Sequence, residues 1–485
     1  MQGLHLILVI LYWIVVALAI IHVVMDNRQP AKTTAWALII WSVPVAGIIA
    51  YLFFGVNTRR ERLVSRRQMD DLTKRSMLGF ANQQDLKLPE QHKPLIDMFI
   101  NQNLSLPFQG NTVDILTDGY QFVHALLAAI GKARRHIHID MYIFEDDPLG
   151  YLISDALIAK AQEGVEIRVI YDDVGCWSVK QRFFERMKEA GIEVMPFLPV
   201  RFPSFTSKVN YRNHRKLIVI DGLTAFAGGM NLALRYVKGT GRQAWRDTMV
   251  QISGPGVFAL QRAFLVDWYF VDRTLLSDRK YYPMADTPQG SSTAQVPQKA
   301  GAANLLQFVT SSPADPYPDI MQGFVRILQT ARQYVYIETP YFLPTEPVLF
   351  ALKSAAMAGV DVRIIVPRYS DARLTELASR SYLREVAEAG VQVFYYTTGF
   401  MHSKLLVCDD DISTCGSTNV DSRSFENNFE SNVFFYGQPM ALRMRDVFMR
   451  DMLESVAFDD VPERQHPPFL KRLTESVLRL FSPLM

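Results

Sequence analysis

The second half of this chain repeats the first, and that repetition limits the fold more than any other feature. Ala133–Asp140 (ARRHIHID) is matched 198 residues on by Ala331–Glu338 (ARQYVYIE), and Gly164–Ile170 (GVEIRVI) is matched 195 residues on by Gly359–Ile365 (GVDVRII). Ala190–Val194 (AGIEV) recurs as Ala389–Val393 (AGVQV), and His214–Asp221 (HRKLIVID) recurs as His402–Asp409 (HSKLLVCD). Both octads read H-x-K-x4-D. Apolar strand-length runs alternate with helical stretches around Tyr120–Arg134 and Tyr151–Glu163, the signature of an α/β body with helices against a sheet. At 485 residues the chain exceeds what one core supports. Two α/β units of one plan are therefore expected, over 110–282 and 304–468, joined by a Pro-, Gln-, Ser- and Ala-rich linker at 283–303.

The ends of the chain differ from this body. Leu4–Met25 carries no Asp, Glu, Lys or Arg, and at 1.5 Å per residue it spans about 33 Å, enough for a bilayer core. Ala35–Val56 has the same length, so residues 1–58 read as a membrane hairpin of two spanning helices, about 4–25 and 35–56. Arg59, Arg60, Arg62, Arg66 and Arg67 follow the second span, against Arg28 and Lys32 between the two. The positive-inside bias then puts everything downstream, and the N-terminus, in the cytoplasm. Residues 59–109 form a basic connector. At the other end, residues 469–485 place Leu470, Leu473, Val477, Leu480 and Phe481 at helical spacing, either an interfacial helix or one packed on the body. A net charge of +2 argues against a nucleic-acid partner. Cys176, Cys408 and Cys415 lack metal-binding spacing and suit a reducing compartment.

Each octad ends in a buried strand, where His214 and Lys216, two apart, share one face, as do His402 and Lys404. Asp221 and Asp409 complete the motif but have the opposite parity. They are counted with the catalytic set, yet a mainly structural role at the strand's end is expected for both. Seven residues beyond each Asp stands a glycine, Gly228 and Gly416, and ten beyond stands Asn231 or Asn419. An Asn amide can donate to an anionic oxygen. Asp247 and Glu430 each begin a later strand, and a carboxylate on an imidazole nitrogen would fix its tautomer. Two His-Lys pairs suit one phosphate. One imidazole attacks phosphorus, the other protonates the leaving oxygen, and Lys216, Lys404, Asn231 and Asn419 neutralise the remaining oxygens without a metal or other cofactor. The acidic clusters Glu145–Asp147, Asp172–Asp173 and Asp409–Asp411 read as solvated loops, and His136 and His138 as structural.

The paired octads resemble the His-Lys-Asp motifs of the phospholipase D superfamily over about Asn111–Glu454. Gly416–Phe425 (GSTNVDSRSF), leading to Asn428–Glu430 (NFE), and Trp41–Leu52 (WSVPVAGIIAYL) are similar to bacterial cardiolipin synthases. That resemblance implies two phospholipase D-like units about a pseudo-twofold axis, set on the bacterial inner membrane. It also implies conversion of two phosphatidylglycerols to cardiolipin and glycerol through a phosphatidyl-histidine, with His214 as nucleophile and His402 as acid/base. Gly229 stands where the second unit has Ser417, so a hydroxyl contact to phosphate is expected from Ser417 alone. A membrane phospholipase D, another phosphatidyltransferase and a non-catalytic lipid scaffold are the alternatives. The oligomeric state is not legible.

Overall fold

In the computed structural model the described residues are 2–26, 30–55, 86, 88–200, 211–239, 244–276, 278–283 and 304–482. The arginines Arg59–Arg67, the first-unit loop 201–210 and the linker 284–303 lie outside them. A single 15-stranded sheet runs through the body. From one edge its strands are Ser455–Ala457, Gln392–Tyr396, Asp361–Pro367, Tyr334–Glu338, Leu405–Cys408, Ile412–Gly416, Glu430–Tyr436 and Asn304–Ser311. It continues through Pro107–Leu116, Met249–Ser253, Thr224–Gly228, Lys216–Ile220, His136–Met141, Glu166–Asp172 and Glu193–Phe197. Apart from the extra edge strand, the order reads the same outward from the pairing of Pro107–Leu116 with Asn304–Ser311. The sequence repeat is thus a repeat of strand order. In each unit three parallel strands follow βαβ connections, and four antiparallel ones carry the sheet to the seam.

Helices sheathe both faces because these strands are buried throughout; His136–Met141 and Glu430–Tyr436 have no exposed residue. Two long helices, Val257–Asp272 and Gln438–Leu453, cover the central strands and share a core with them through Phe264, Trp268, Met444 and Phe448. The connector contributes more than a link. Lys93–Asn103 is a helix whose Leu95, Ile96 and Phe99 enter the second unit's core, with Phe99 against Phe434 at 4.7 Å.

Of the two expected spans, one is a single helix and the other is interrupted. Gln2–Met25 is one continuous helix with most of its Leu, Ile and Val exposed, the only helix among the described residues long and apolar enough to cross a membrane. The second apolar run breaks into Pro30–Ser42 and Pro44–Ala50. Pro44 is the cause. It lacks an N–H and drives Val43 out of the helical region, to φ −136°, ψ 74°. The chain bends so tightly there that a Cβ on Gly47 would lie 2.8 Å from the Ile40 backbone.

The C-terminal helix Phe469–Leu480 is seated with its polar side inward. Glu475 is fully buried and pairs with Arg384 at 2.6 Å and Arg380 at 3.7 Å, and Arg479 pairs with Glu385. Its apolar side, Phe469, Leu470, Leu473, Val477 and Leu480, faces outward.

Candidate active site

Each octad strand begins where its unit meets the other. The His214 N–H donates to the Phe429 carbonyl at 2.9 Å, and the His402 N–H to the Arg246 carbonyl at 2.7 Å. Main-chain pairing across the seam therefore delivers each histidine to the residue preceding the other unit's carboxylate. The side chains cross accordingly. Nδ1 of His214 lies 3.0 and 3.1 Å from the two oxygens of Glu430, and Nδ1 of His402 lies 2.6 Å from Oδ2 of Asp247. Asp247 and Glu430 are completely buried. A carboxylate can only accept, so each Nδ1 carries the proton and each Nε2 presents its lone pair to the cleft.

The lysines sit on the same face as their histidines. Nζ of Lys216 donates to the His214 carbonyl at 2.6 Å and lies 5.1 Å over the Tyr142 ring. Nζ of Lys404 donates to the His402 carbonyl and stands 3.6 Å from Asp247. Burial lowers both lysines, Lys216 well below its ordinary value and Lys404 to about 8, and the Lys404 ammonium depresses Lys216 further. Burial likewise lowers His214 to about 4, against the pull of Glu430, and His402 to about 3, where Lys404 adds to the lowering and Asp247 opposes it. Burial alone would raise Asp247 and Glu430. The adjoining Lys404 and His402, and His214 and Lys216, hold them below the usual carboxylate value. Without a ligand the pocket thus contains two neutral imidazoles, two carboxylates and two lysines whose charge burial disfavours, an arrangement that gains from an incoming anion.

Other motif residues lie elsewhere than expected. Asp221 and Asp409 occupy the tight turn after each octad strand at φ 55° and 51°, followed by Gly222 and Asp410, also at positive φ. Asp tolerates this left-handed conformation. The Asp221 carboxylate accepts the N–H groups of Arg134, Arg135 and His136 at 2.7–2.9 Å, and Asp409 those of Arg332, Gln333 and Tyr334 over the same range. Both tie the octad strand to its neighbour, the mainly structural role expected of them, and neither hydrogen-bonds an imidazole among the described residues. Asn231 is likewise committed, accepting from the Ile143 N–H and donating to the Tyr236 hydroxyl at 2.9 Å. Asn419 gives its amide N–H to Asp421, while its Oδ1 is buried without a partner among the described residues. Ser417 donates to Glu430 and accepts the Ser431 N–H, so it orients the carboxylate that holds His214. The acidic clusters are absorbed structurally. Asp172 accepts from Val174, Gly175 and Asn213, Glu145 pairs with Arg235, and Asp410 with Arg445.

Several site residues escaped the sequence reading. Tyr142 lies edge-on to His214 at 4.8 Å. Trp245, Phe400 and Tyr236 surround His402 at 5.0, 5.7 and 5.8 Å, and the Tyr236 hydroxyl comes within 3.3 Å of its Nδ1. Beneath each histidine lies a buried guanidinium between two carboxyls. In the first unit it is Arg215, bonded to Asp267, near Asp140, and donating to the Glu430 carbonyl. Beneath His402 it is Arg246, also from the first unit, bonded to Asp451, near Glu338, and donating to the Asp247 carbonyl. Burial, then repulsion from the second carboxyl, raises Asp140 and Glu338 well above the usual value.

The geometry can be set beside known proteins. The family model described as cardiolipin synthase, PLD-like domain, matches residues 126–268 and 324–452, and a phospholipase D-nuclease N-terminal model matches residues 9–55. The major cardiolipin synthase of Bacillus subtilis (strain 168) is 35% identical over 486 residues, 97% of either chain. A cardiolipin synthase of Alkalihalophilus pseudofirmus is 36% identical over 471 residues, 95% of this chain and 90% of that one. Among solved structures, a phosphatidylserine synthase of Haemophilus influenzae superposes on 82% of this chain and all of its own with a TM-score of 0.61 at 15% identity, a likeness of fold.

Proposed function

This chain belongs to the phospholipase D-like cardiolipin synthase family, and from that premise we propose that it joins two phosphatidylglycerols at the crossed histidines. The observation that carries the reading is the exchange of carboxylates, which leaves two equivalently oriented Nε2 atoms in one pocket with two lysines. Nε2 of His214 attacks phosphorus of the first lipid, forming a P–N bond as the P–O bond to glycerol breaks. His402, protonated, gives its proton to the departing glycerol oxygen. The primary hydroxyl of the second phosphatidylglycerol then loses its proton to His402 and attacks phosphorus, releasing His214 and cardiolipin. Lys216 and Lys404 neutralise the non-bridging oxygens, and Asn419 borders the same pocket. His214 and His402 take the nucleophile and acid/base roles by resemblance to the family. The anionic phosphodiester supplies the charge that lets an otherwise neutral imidazole hold that proton.

The apolar segments 4–25 and 35–56 anchor the chain in the bacterial inner membrane, the second as a kinked element, and the arginines from Arg59 to Arg67 orient the catalytic body toward the cytoplasm. To test the reaction, detergent-solubilised protein is incubated with phosphatidylglycerol: cardiolipin and free glycerol in equal amounts are expected. Phosphatidic acid without cardiolipin would replace the synthase reading with a phospholipase one, and binding without turnover would leave a scaffold. Protein denatured under neutral to mildly alkaline conditions, where a P–N bond survives, should carry phosphatidyl label on His214. Label on His402 would reverse the two roles.

A further inference from the structure

The two units treat one arginine differently. Seven residues beyond Gly228 stands Arg235, and seven beyond Gly416 stands Arg423. Arg235 is neutralised, ion-paired with Glu145 and stacked over Trp245 at 5.2 Å. In the second unit the position matching Glu145 is Leu343. Arg423 is only partly exposed, and among the described residues it has no carboxylate, hydrogen-bond or aromatic partner for its guanidinium. A half-buried cation without a partner has lost water and gained nothing in return, which is expected where an anion is to bind.

Arg423 is held beside the residues that surround His214. The Asp421 carboxylate caps its short helical turn by accepting the Ser424 N–H, and the Arg423 carbonyl accepts the N–H groups of Asn427 and Asn428 at 2.9 and 3.0 Å. Asn428 in turn donates to Glu430 at 3.2 Å, so the turn carrying the arginine also steadies the carboxylate that orients His214. The guanidinium is close enough to Tyr142 to oppose, together with Arg212, the upward push that burial gives that phenol. Tyr142 itself touches His214 and lies beneath Lys216. Arg212 is occupied by Asp172. Among the described residues, Arg423 is therefore an uncompensated charge on the His214 side, beyond the two lysines that serve the reacting phosphate.

We propose that Arg423 binds the phosphate of the acceptor lipid, the anion that is not cut. This rests on the reading of the chain as joining two phosphatidylglycerols. Such a reaction brings two phosphodiesters together, because the acceptor's attacking hydroxyl is only three carbons from its own phosphate. A cation at that distance holds the hydroxyl in line and favours a phospholipid over water or a simple alcohol, neither of which carries the charge.

The experiment compares acceptors. With labelled phosphatidylglycerol as donor and ethanol as competing neutral acceptor, full-length protein is assayed for cardiolipin and phosphatidylethanol together. Arg423→Gln is expected to lower the ratio of cardiolipin to phosphatidylethanol by about tenfold or more, the loss of one charge-assisted contact, with Arg423→Lys losing less. Arg235→Gln should leave the ratio within about twofold, since Arg235 already has its counter-ion. Parallel loss of both products in Arg423→Gln, an unchanged ratio, or an equal shift in Arg235→Gln would overturn the assignment. Should Arg423→Gln fail to fold by thermal melting, the ratio in Arg423→Lys decides: a fall supports the contact, and no change refutes it. Absence of cardiolipin from the unaltered protein would instead refute the parent reading.

Discussion

The His214 and His402 halves of the pocket share a plan and differ in every supporting detail. His214 leans on Glu430, which is held in place by Ser417 and Asn428. His402 leans on the shorter Asp247 at closer range, with the Tyr236 hydroxyl and Lys404 crowded against the same nitrogen. The reason lies in one position. Where the second unit has Ser417 the first has Gly229, and a Cβ there would meet Asp247 at 2.1 Å. Loss of the side chain lets a shorter acid press against its own backbone and still reach across to His402. One half is tuned by a hydrogen-bonded carboxylate, the other by a close one.

Removing the common part should have the largest effect. His214→Ala and His402→Ala are each expected to lower cardiolipin formation by roughly 10⁴-fold or more, and only the variant that retains the nucleophile should trap phosphatidyl label. Next come the carboxylates. Asp247→Asn and Glu430→Gln should each reduce kcat by about 10²–10⁴-fold through loss of the Nδ1 tautomer, with Asp247→Asn the more severe because it strands Lys404 as well. Equal losses would remove the distinction between the halves. A smaller effect, about 10–100-fold, is expected for Gly229→Ser, which imports the other half's hydroxyl and displaces Asp247; Ser417→Gly should cost about tenfold or less. If Gly229→Ser is silent, the steric account of the asymmetry fails. The mildest contrast concerns pH. Both imidazoles are neutral when folded and titrate near 6.5 when unfolded, so below pH 6.5 the unfolded chain takes up protons the folded one refuses. Their contribution to stability is complete above pH 6.5 and is lost as pH falls toward about 4 for His214 and about 3 for His402. Thermal melts over that range should show His402→Gln weakening the acid dependence slightly more than His214→Gln.

The α/β duplication was legible because it is local: the paired octads, the glycine seven residues on and the strand periodicity depend on neighbours in sequence. The same parity argument that set Asp221 and Asp409 apart from the lysines follows from strand geometry alone. The crossing was not legible, since Asp247 and Glu430 stand at matching places in their own units and only pairing across the seam shows which imidazole each meets. Asn231 and Ser417 point the same way: a polar side chain near a phosphate site donates to whichever acceptor is nearest, here Tyr236 and Glu430. Pro44 was visible in the second apolar run and signalled the break found there, but its composition alone suggested a continuous span.

The arginines beneath the histidines have a consequence for ancestry. Arg215 comes from its own octad, where the other unit has Ser403; Arg246 precedes Asp247, where the other unit has Phe429. Both guanidiniums thus come from the first unit, from two different places in it. A homodimer of two first units would bring Arg215 and Arg246 into one cavity, and a homodimer of two second units would bring neither, leaving Glu338 and Asp451 buried with no cation. If the halves descend from a self-pairing ancestor, this one-sided supply is the change that made the fusion irreversible: neither half can now complete itself.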